Sequence, residues 1–166
     1  GKPQQVGKDV VQLQFERRLP RGPARLRLTY QGKLPTSEGV GLYRETDGSD
    51  LYIYSDFEPI AARLAFPCFD EPIYKVSWQL TLHVRREHLA VSNTPVASEA
   101  DEPGGMKRVT FQPTPPLPSY LVALAVGSFG IVDAGRGGQN QTPLRILTLR
   151  GHEAEGRYAA QVTGPL

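Results

Sequence analysis

A chain of 166 residues is the size of one domain and long enough to bury a real core, with about two thirds of its surface leaving water on folding. Nineteen Lys and Arg against seventeen Asp and Glu give a net charge of +2, which points neither to nucleic acid nor to a strongly acidic partner. The single cysteine excludes an internal disulfide and a multi-cysteine metal site, and no apolar run approaches the roughly 18 residues of a membrane-spanning helix.

Seventeen glycines and fifteen prolines favour many turns between short strands over long helices. Residues 1 to 8 are polar and read as a frayed tail, and Gly1-Lys2-Pro3-Gln4-Gln5 is not a signal peptide. Val11, Leu13 and Phe15 alternate with Gln12, Gln14 and Glu16, as Leu26, Leu28 and Tyr30 do with Arg25, Arg27 and Thr29. The Pro20-Arg21-Gly22-Pro23 turn between these two runs predicts a hairpin. Five arginines fall between positions 17 and 27, and their interleaving with core positions reads as a solvated face rather than a phosphate-binding patch. Residues 31 to 50 read as a loop broken by a short segment from Val40 to Tyr43, and Leu51 to Tyr54 as a strand.

That strand runs into the stretch around which the chain is organised. Pro59 suits the first position of a brief helical segment near 59–65, because its missing N–H would have had no partner there. Glu58 then falls at or beside the N-cap, and Asp56 puts a second carboxylate in the same turn. Two readings are open from spacing alone. Both acids satisfy backbone N–H groups at the helix start, or Glu58 projects from a rigid turn to hold a cationic group. Cys68, flanked by Phe66-Pro67 and Phe69, reads as a buried inert thiol, and Asp70-Glu71 as a turn that caps backbone N–H groups and pairs with Arg63.

From Val76 to Val84 the alternation is the clearest in the chain, predicting a long strand with Val76, Trp78, Leu80, Leu82 and Val84 inward. Leu89 to Ser92 and Lys107 to Gln112 are further strands, linked by an acidic, Gly-rich stretch from Glu99 to Gly105 that reads as a disordered tip. The proline run 113–118 must be extended, feeding a strand from Tyr120 to Val126 whose continuous apolar character predicts burial on both faces. Gly135 to Asn140 lacks the Lys-Ser/Thr of a phosphate loop and reads as a hairpin turn before the strand Leu144 to Leu149; a helical pattern follows Gly151.

Hydrolytic chemistry is missing from this inventory. His152-Glu153-Ala154-Glu155-Gly156 begins like the zinc motif H-E-x-x-H but ends in Gly156, and His83 and His88 stand five apart on a strand and a loop. Nothing places a Ser beside a His. The chain alone is therefore expected to hydrolyse no peptide bond.

Ser55-Asp56-Phe57-Glu58-Pro59, followed by Ala62-Arg63-Leu64-Ala65-Phe66-Pro67-Cys68-Phe69-Asp70-Glu71-Pro72, resembles the N-terminal β-domain of zinc aminopeptidases of the aminopeptidase N type. Gly39-Val40-Gly41-Leu42-Tyr43-Arg44, Ala90-Val91-Ser92-Asn93-Thr94-Pro95-Val96 and Tyr120 to Phe129 match in the same order. The resemblance implies a saddle-like antiparallel β-sandwich over residues 1–149, preceded by further family strands, and a catalytic domain that begins with residues 150–166. It also implies that Glu58 contacts the free α-amino group of a bound peptide together with a glutamate of the catalytic domain. Asp56 stands where the family usually has Gln. By the same resemblance the partners are the N-terminus of a peptide substrate and the enzyme's own catalytic domain, and the zinc belongs to the full-length enzyme, none being bound by this chain. The family's Gly-x-Met-Glu-Asn motif is absent, the one methionine being Met106. A different class of function, a non-catalytic β-sandwich used for protein interaction, fits the same strands. A carbohydrate-binding sandwich fits less well, because Tyr52, Tyr54 and Trp78 lie in strand patterns where core packing is the default.

Overall fold

A computed structural model describes residues 2–36 and 39–163. Those parts of the expected N-terminal tail, loop and C-terminal helix that fall on residues 1, 37–38 and 164–166 lie outside the described residues. In chain order the strands are β1 (Lys2–Gln5), β2 (Val11–Gln14), β3 (Gly41–Asp47), β4 (Asp50–Asp56), β5 (Thr81–Arg85) and β6 (Leu89–Ser92). Then come β7 (Val96–Glu102), β8 (Met106–Phe111), β9 (Leu124–Gly127), β10 (Gly130–Gly137) and β11 (Thr142–Thr148), before helix α1 (Glu153–Thr163). Single 3₁₀ turns cover Ala62–Leu64 and Ser119–Leu121. Every ladder between these strands is antiparallel: a four-stranded sheet β3-β4-β9-β6, a three-stranded sheet β5-β8-β7, and the hairpins β1-β2 and β10-β11. The expected all-β sandwich is the observed fold.

Its core forms where alternate residues of the two larger sheets meet. Val84, Val109 and Phe111 from the three-stranded sheet pack with Ala90 and Val126 from the four-stranded one, with Ile53, Leu80, Leu82 and Leu124 closing the edges. A second cluster of Phe57, Ala62 and Val122, joined by Phe66, Trp78, Leu117 and Tyr120, lies under the corner that follows β4. Each large side chain so buried contributes on the order of 2 kcal/mol by leaving water, which is why these short elements stay in place.

Several expectations are corrected, each for a physical reason. β2 does not pair with residues 26–30; it pairs with Lys2–Gln5, so the expected frayed tail is a strand. The turn closing this hairpin, with the Val6 N–H on the Val10 carbonyl at 2.8 Å, is far shorter than the one expected, and a shorter loop costs less entropy to close. Leu26, Leu28 and Tyr30 remain exposed, outside any ladder. Residues 41–50 are no loop but β3 and the start of β4, joined by the two-residue turn Gly48-Ser49 with Gly48 at φ +56°. Glu99 to Glu102 belong to β7 rather than a disordered tip, since β8 and β5 set bases opposite their carboxylates: Lys107 at 2.7 Å from Glu99 and His83 at 2.7 Å from Glu102.

The long strand from Val76 is also interrupted. Its partner at the beginning is the proline run, where only Thr114 and Leu117 own an N–H. Both donate, Thr114 to the Trp78 carbonyl at 2.8 Å and Leu117 to the Val76 carbonyl at 3.0 Å, so a rail of isolated bonds replaces a ladder and Val76 is half exposed. Regular pairing starts at Thr81, where β8 takes over. Tyr120 to Val126 divides likewise: Pro118 and Ser119 initiate a 3₁₀ turn, and β9 begins at Leu124. There it is a central strand between β4 and β6, as its apolar run predicts. The expected hairpin turn is confined to residues 138–141, because Arg136 and Gly137 still pair with Pro143 and Thr142 at the end of β10; the strand after it and the C-terminal helix stand as expected.

Candidate functional site

β4 ends at Asp56, and the chain keeps the in-and-out alternation for two residues more. Asp56 is exposed, Phe57 is 2 % exposed, and Glu58 is exposed again. Phe57 is the anchor: its ring meets Phe66 edge-on at 5.5 Å, Phe66 meets Trp78 at 5.6 Å, and its carbonyl accepts the Ala61 N–H at 2.9 Å. Ser55 holds the strand end to β9, its hydroxyl accepting the Leu124 N–H at 2.8 Å. With the residues on both sides fixed, the Glu58 backbone has little freedom.

The carboxylates of Asp56 and Glu58 differ in what they touch. Asp56 Oδ1 accepts the Glu58 N–H at 3.2 Å, a local turn that fixes the backbone two residues on. Among the described residues, no hydrogen bond or ion pair engages the Glu58 carboxylate itself. The helical segment differs from expectation: the Glu58–Pro59 peptide is cis, the 3₁₀ turn spans only Ala62–Leu64, and its N-cap is Ala61 with no side-chain cap. Pro59 is therefore not a first helical residue, nor Glu58 an N-cap, because the Phe57-to-Ala61 turn intervenes.

Behind the corner lies a second carboxylate of opposite character. Asp70 is 3 % exposed and accepts three hydrogen bonds, from the Ser119 hydroxyl at 2.6 Å, the Arg63 Nε at 2.9 Å and the Arg63 backbone N–H at 3.0 Å. Burial alone would raise its pKa, but the Ser119 hydroxyl and the Arg63 groups outweigh that and hold the carboxyl below its usual range. The Arg63 pairing is the one expected from sequence; Ser119, 49 residues away, carries no sequence signal. Cys68 is half-buried, and burial together with the Asp70 charge pushes its thiol up to about 11, so it is no nucleophile. A cavity of about 240 Å³ adjoins this group, lined by Asp9, Val10, Arg63, Cys68, Phe69 and Glu71 among others; neither Asp56 nor Glu58 lines it.

Among the described residues, no group of three or more His, Cys, Asp or Glu could hold a metal ion. The zinc of the resembling family finds no fitting donor set among the described residues. Tyr52 and Trp78 are committed to packing, the first against Phe129 at 5.2 Å and the second against Phe66 at 5.6 Å.

Comparison with known proteins identifies the family. Residues 2–121 match the family model of the Peptidase M1 N-terminal domain. Aminopeptidase M1-A of Oryza sativa subsp. japonica is 37 % identical over 158 residues, covering 93 % of this chain and 18 % of its own length. Puromycin-sensitive aminopeptidase of Caenorhabditis elegans is 37 % identical over 123 residues, 73 % of this chain and 13 % of that protein. Aminopeptidase N of Acetobacter pasteurianus is 34 % identical over 155 residues, 91 % of this chain and 43 % of that protein. The chain thus spans less than half the length of each of these relatives. A sandwich whose corner carries Asp56-Phe57-Glu58, matched along most of its length by aminopeptidases, belongs to the family of M1 peptidase N-terminal domains.

Proposed function

We propose that this chain is the substrate-anchoring domain of a zinc-dependent aminopeptidase, and that Glu58 grips the free α-ammonium group of the peptide to be trimmed. One observation carries the reading: a carboxylate on a corner held from both sides, whose oxygens are spent on nothing else among the described residues. An exopeptidase must measure the distance from a substrate's ammonium to its first carbonyl. A charge-assisted pair with a rigid carboxylate does so, and in a cleft shielded from water it is stronger than at an open surface. Asp56 contributes chiefly by fixing the Glu58 N–H. The zinc, the general base and the second half of the cleft are supplied by the catalytic domain, which residues 150 onward enter. The 166-residue chain binds and orients but cleaves nothing.

The test is Glu58→Gln in the full-length protein, assayed on an aminoacyl anilide. Losing a charged hydrogen-bond partner costs about 10- to 100-fold in kcat/KM. An unchanged value removes the anchoring role.

A further inference from the structure

We propose that Asp70 is a positioning residue for Glu58: it ties the segment after Glu58 to the segment that enters β9, and so sets the angle at which Glu58 meets an ammonium group. This rests on the amine-anchoring reading above and assigns the residue that makes it work.

The connections form a closed ring. From Glu58 the chain turns through Ala61, bonded to Phe57, into the 3₁₀ turn that holds Arg63. Arg63 presents its backbone N–H and its Nε to one oxygen of Asp70, at 3.0 and 2.9 Å. The other oxygen takes the Ser119 hydroxyl at 2.6 Å, and Ser119 is wholly buried. From Ser119 the chain runs through its own 3₁₀ turn to Leu124, whose N–H returns to Ser55, three residues before Glu58. Ser55 closes the ring at β9 through its hydroxyl, and Asp70 is the side chain that joins the 3₁₀ turn of Arg63 to that of Ser119.

Its burial makes the role specific. Removing a carboxylate from water is costly, and an apolar residue of similar size would pack there without that cost; what it could not do is bond two segments at fixed angles through two oxygens. The bonds are directional, and Arg63 approaches with both its main chain and its side chain. Asp70 therefore couples the 3₁₀ turn after Glu58 to β9, the strand hydrogen-bonded to β4 on the far side of the same corner. An opening here lets the 58–64 segment swing, which weakens capture of an ammonium rather than the bond-breaking step.

The experiment is a double-mutant cycle in the full-length protein with an aminoacyl anilide as probe, using Glu58→Gln, Asp70→Asn and the pair. Asp70→Asn is expected to lower kcat/KM about tenfold, mostly through KM, with no further loss when added to Glu58→Gln. Ser119→Ala removes only one of the three bonds. It is expected to cost about three- to fivefold in the same direction and to lower the melting temperature less than Asp70→Asn does, and it replaces Asp70→Asn in the cycle should that variant not fold. Wild-type kinetics for Asp70→Asn, or losses that multiply fully with Glu58→Gln, overturn the positioning role while leaving Glu58 as the anchor. A silent Glu58→Gln overturns the anchor itself and this inference with it.

Discussion

The carboxylate of Asp56 holds the backbone N–H of Glu58 at 3.2 Å, so the first acid of the corner acts on the second through the main chain rather than beside it. Only an acceptor oxygen is needed for that, not a charge. Asp56→Asn keeps the acceptor and is expected to leave kcat/KM on an aminoacyl anilide within about twofold. Asp56→Ala removes it and is expected to cost about 3- to 10-fold, the worth of one net hydrogen bond. Equal and large losses in both variants would instead place the Asp56 charge in the amine pocket.

Tyr52 reaches across the sheet from β4. Its hydroxyl accepts the Arg150 N–H at 3.0 Å and donates to the Ser128 carbonyl at 3.3 Å, tying together segments 76 and 98 residues away in sequence. The ring is 1 % exposed and packs on Phe129, so Tyr52→Phe keeps the packing and deletes both bonds. Two main-chain groups then lose their partner, at a cost of about 1–3 kcal/mol. Urea unfolding should show a lower midpoint with an unchanged slope; a midpoint equal to wild type would mean that water replaces the hydroxyl at no cost.

How far such features can be read from sequence depends on whether the signal is local. The corner is local: Asp56-Phe57-Glu58 alternates as a strand must, and Arg63 and Asp70 are near enough in sequence to be paired on paper. The β10-β11 turn declares itself by the glycines around it, though its first residues extend β10. β7 does not, because Glu99-Ala100-Asp101-Glu102 looks like a solvated tip until Lys107, Arg86 and His83 are set against it by the neighbouring strands. β1 is hidden for the same reason, a polar strand whose only recommendation is a nearby partner. Ser119 on Asp70 is legible to no local pattern at all, since only the sandwich brings it there. Sequence therefore shows which residues the corner presents, and the fold shows which groups the buried Asp70 bonds.

Gly156 offers a test in which two rules oppose. It lies inside α1, where Ala is ordinarily better than Gly by about 1 kcal/mol. Yet it is buried against the β10-β11 hairpin, and a β-carbon there would stand 2.7 Å from Thr148 Cγ2 and 3.1 Å from Val132 Cγ2. Both neighbours are β-branched and stiff, so the helix must lift, and overpacking of this kind costs about 1–3 kcal/mol. Gly156→Ala should lower the melting temperature in spite of its better propensity. A rise would show that α1 docks loosely enough to absorb a methyl group.

The start of the same helix carries a charge relay to the β3-β4 turn that makes the protein's stability depend on pH. His152 Nδ1 lies 2.9 Å from Glu155 Oε1, and its Nε2 lies 3.4 Å from Asp47 Oδ2. Glu155 first, and Asp47 after it, favour the imidazolium and raise its pKa above the ordinary 6.5. A group whose pKa is raised on folding contributes stability that is fully present below its unfolded value and is lost as pH climbs through the folded one. The melting-temperature advantage of wild type over His152→Gln should therefore be largest below pH 6.5 and fade above it. Because the three side chains are exposed, about 0.5 M salt should shrink the advantage at the lower pH. An advantage that grows with pH would mean that His152 acts as a neutral hydrogen-bonding ring rather than as a cation between two acids.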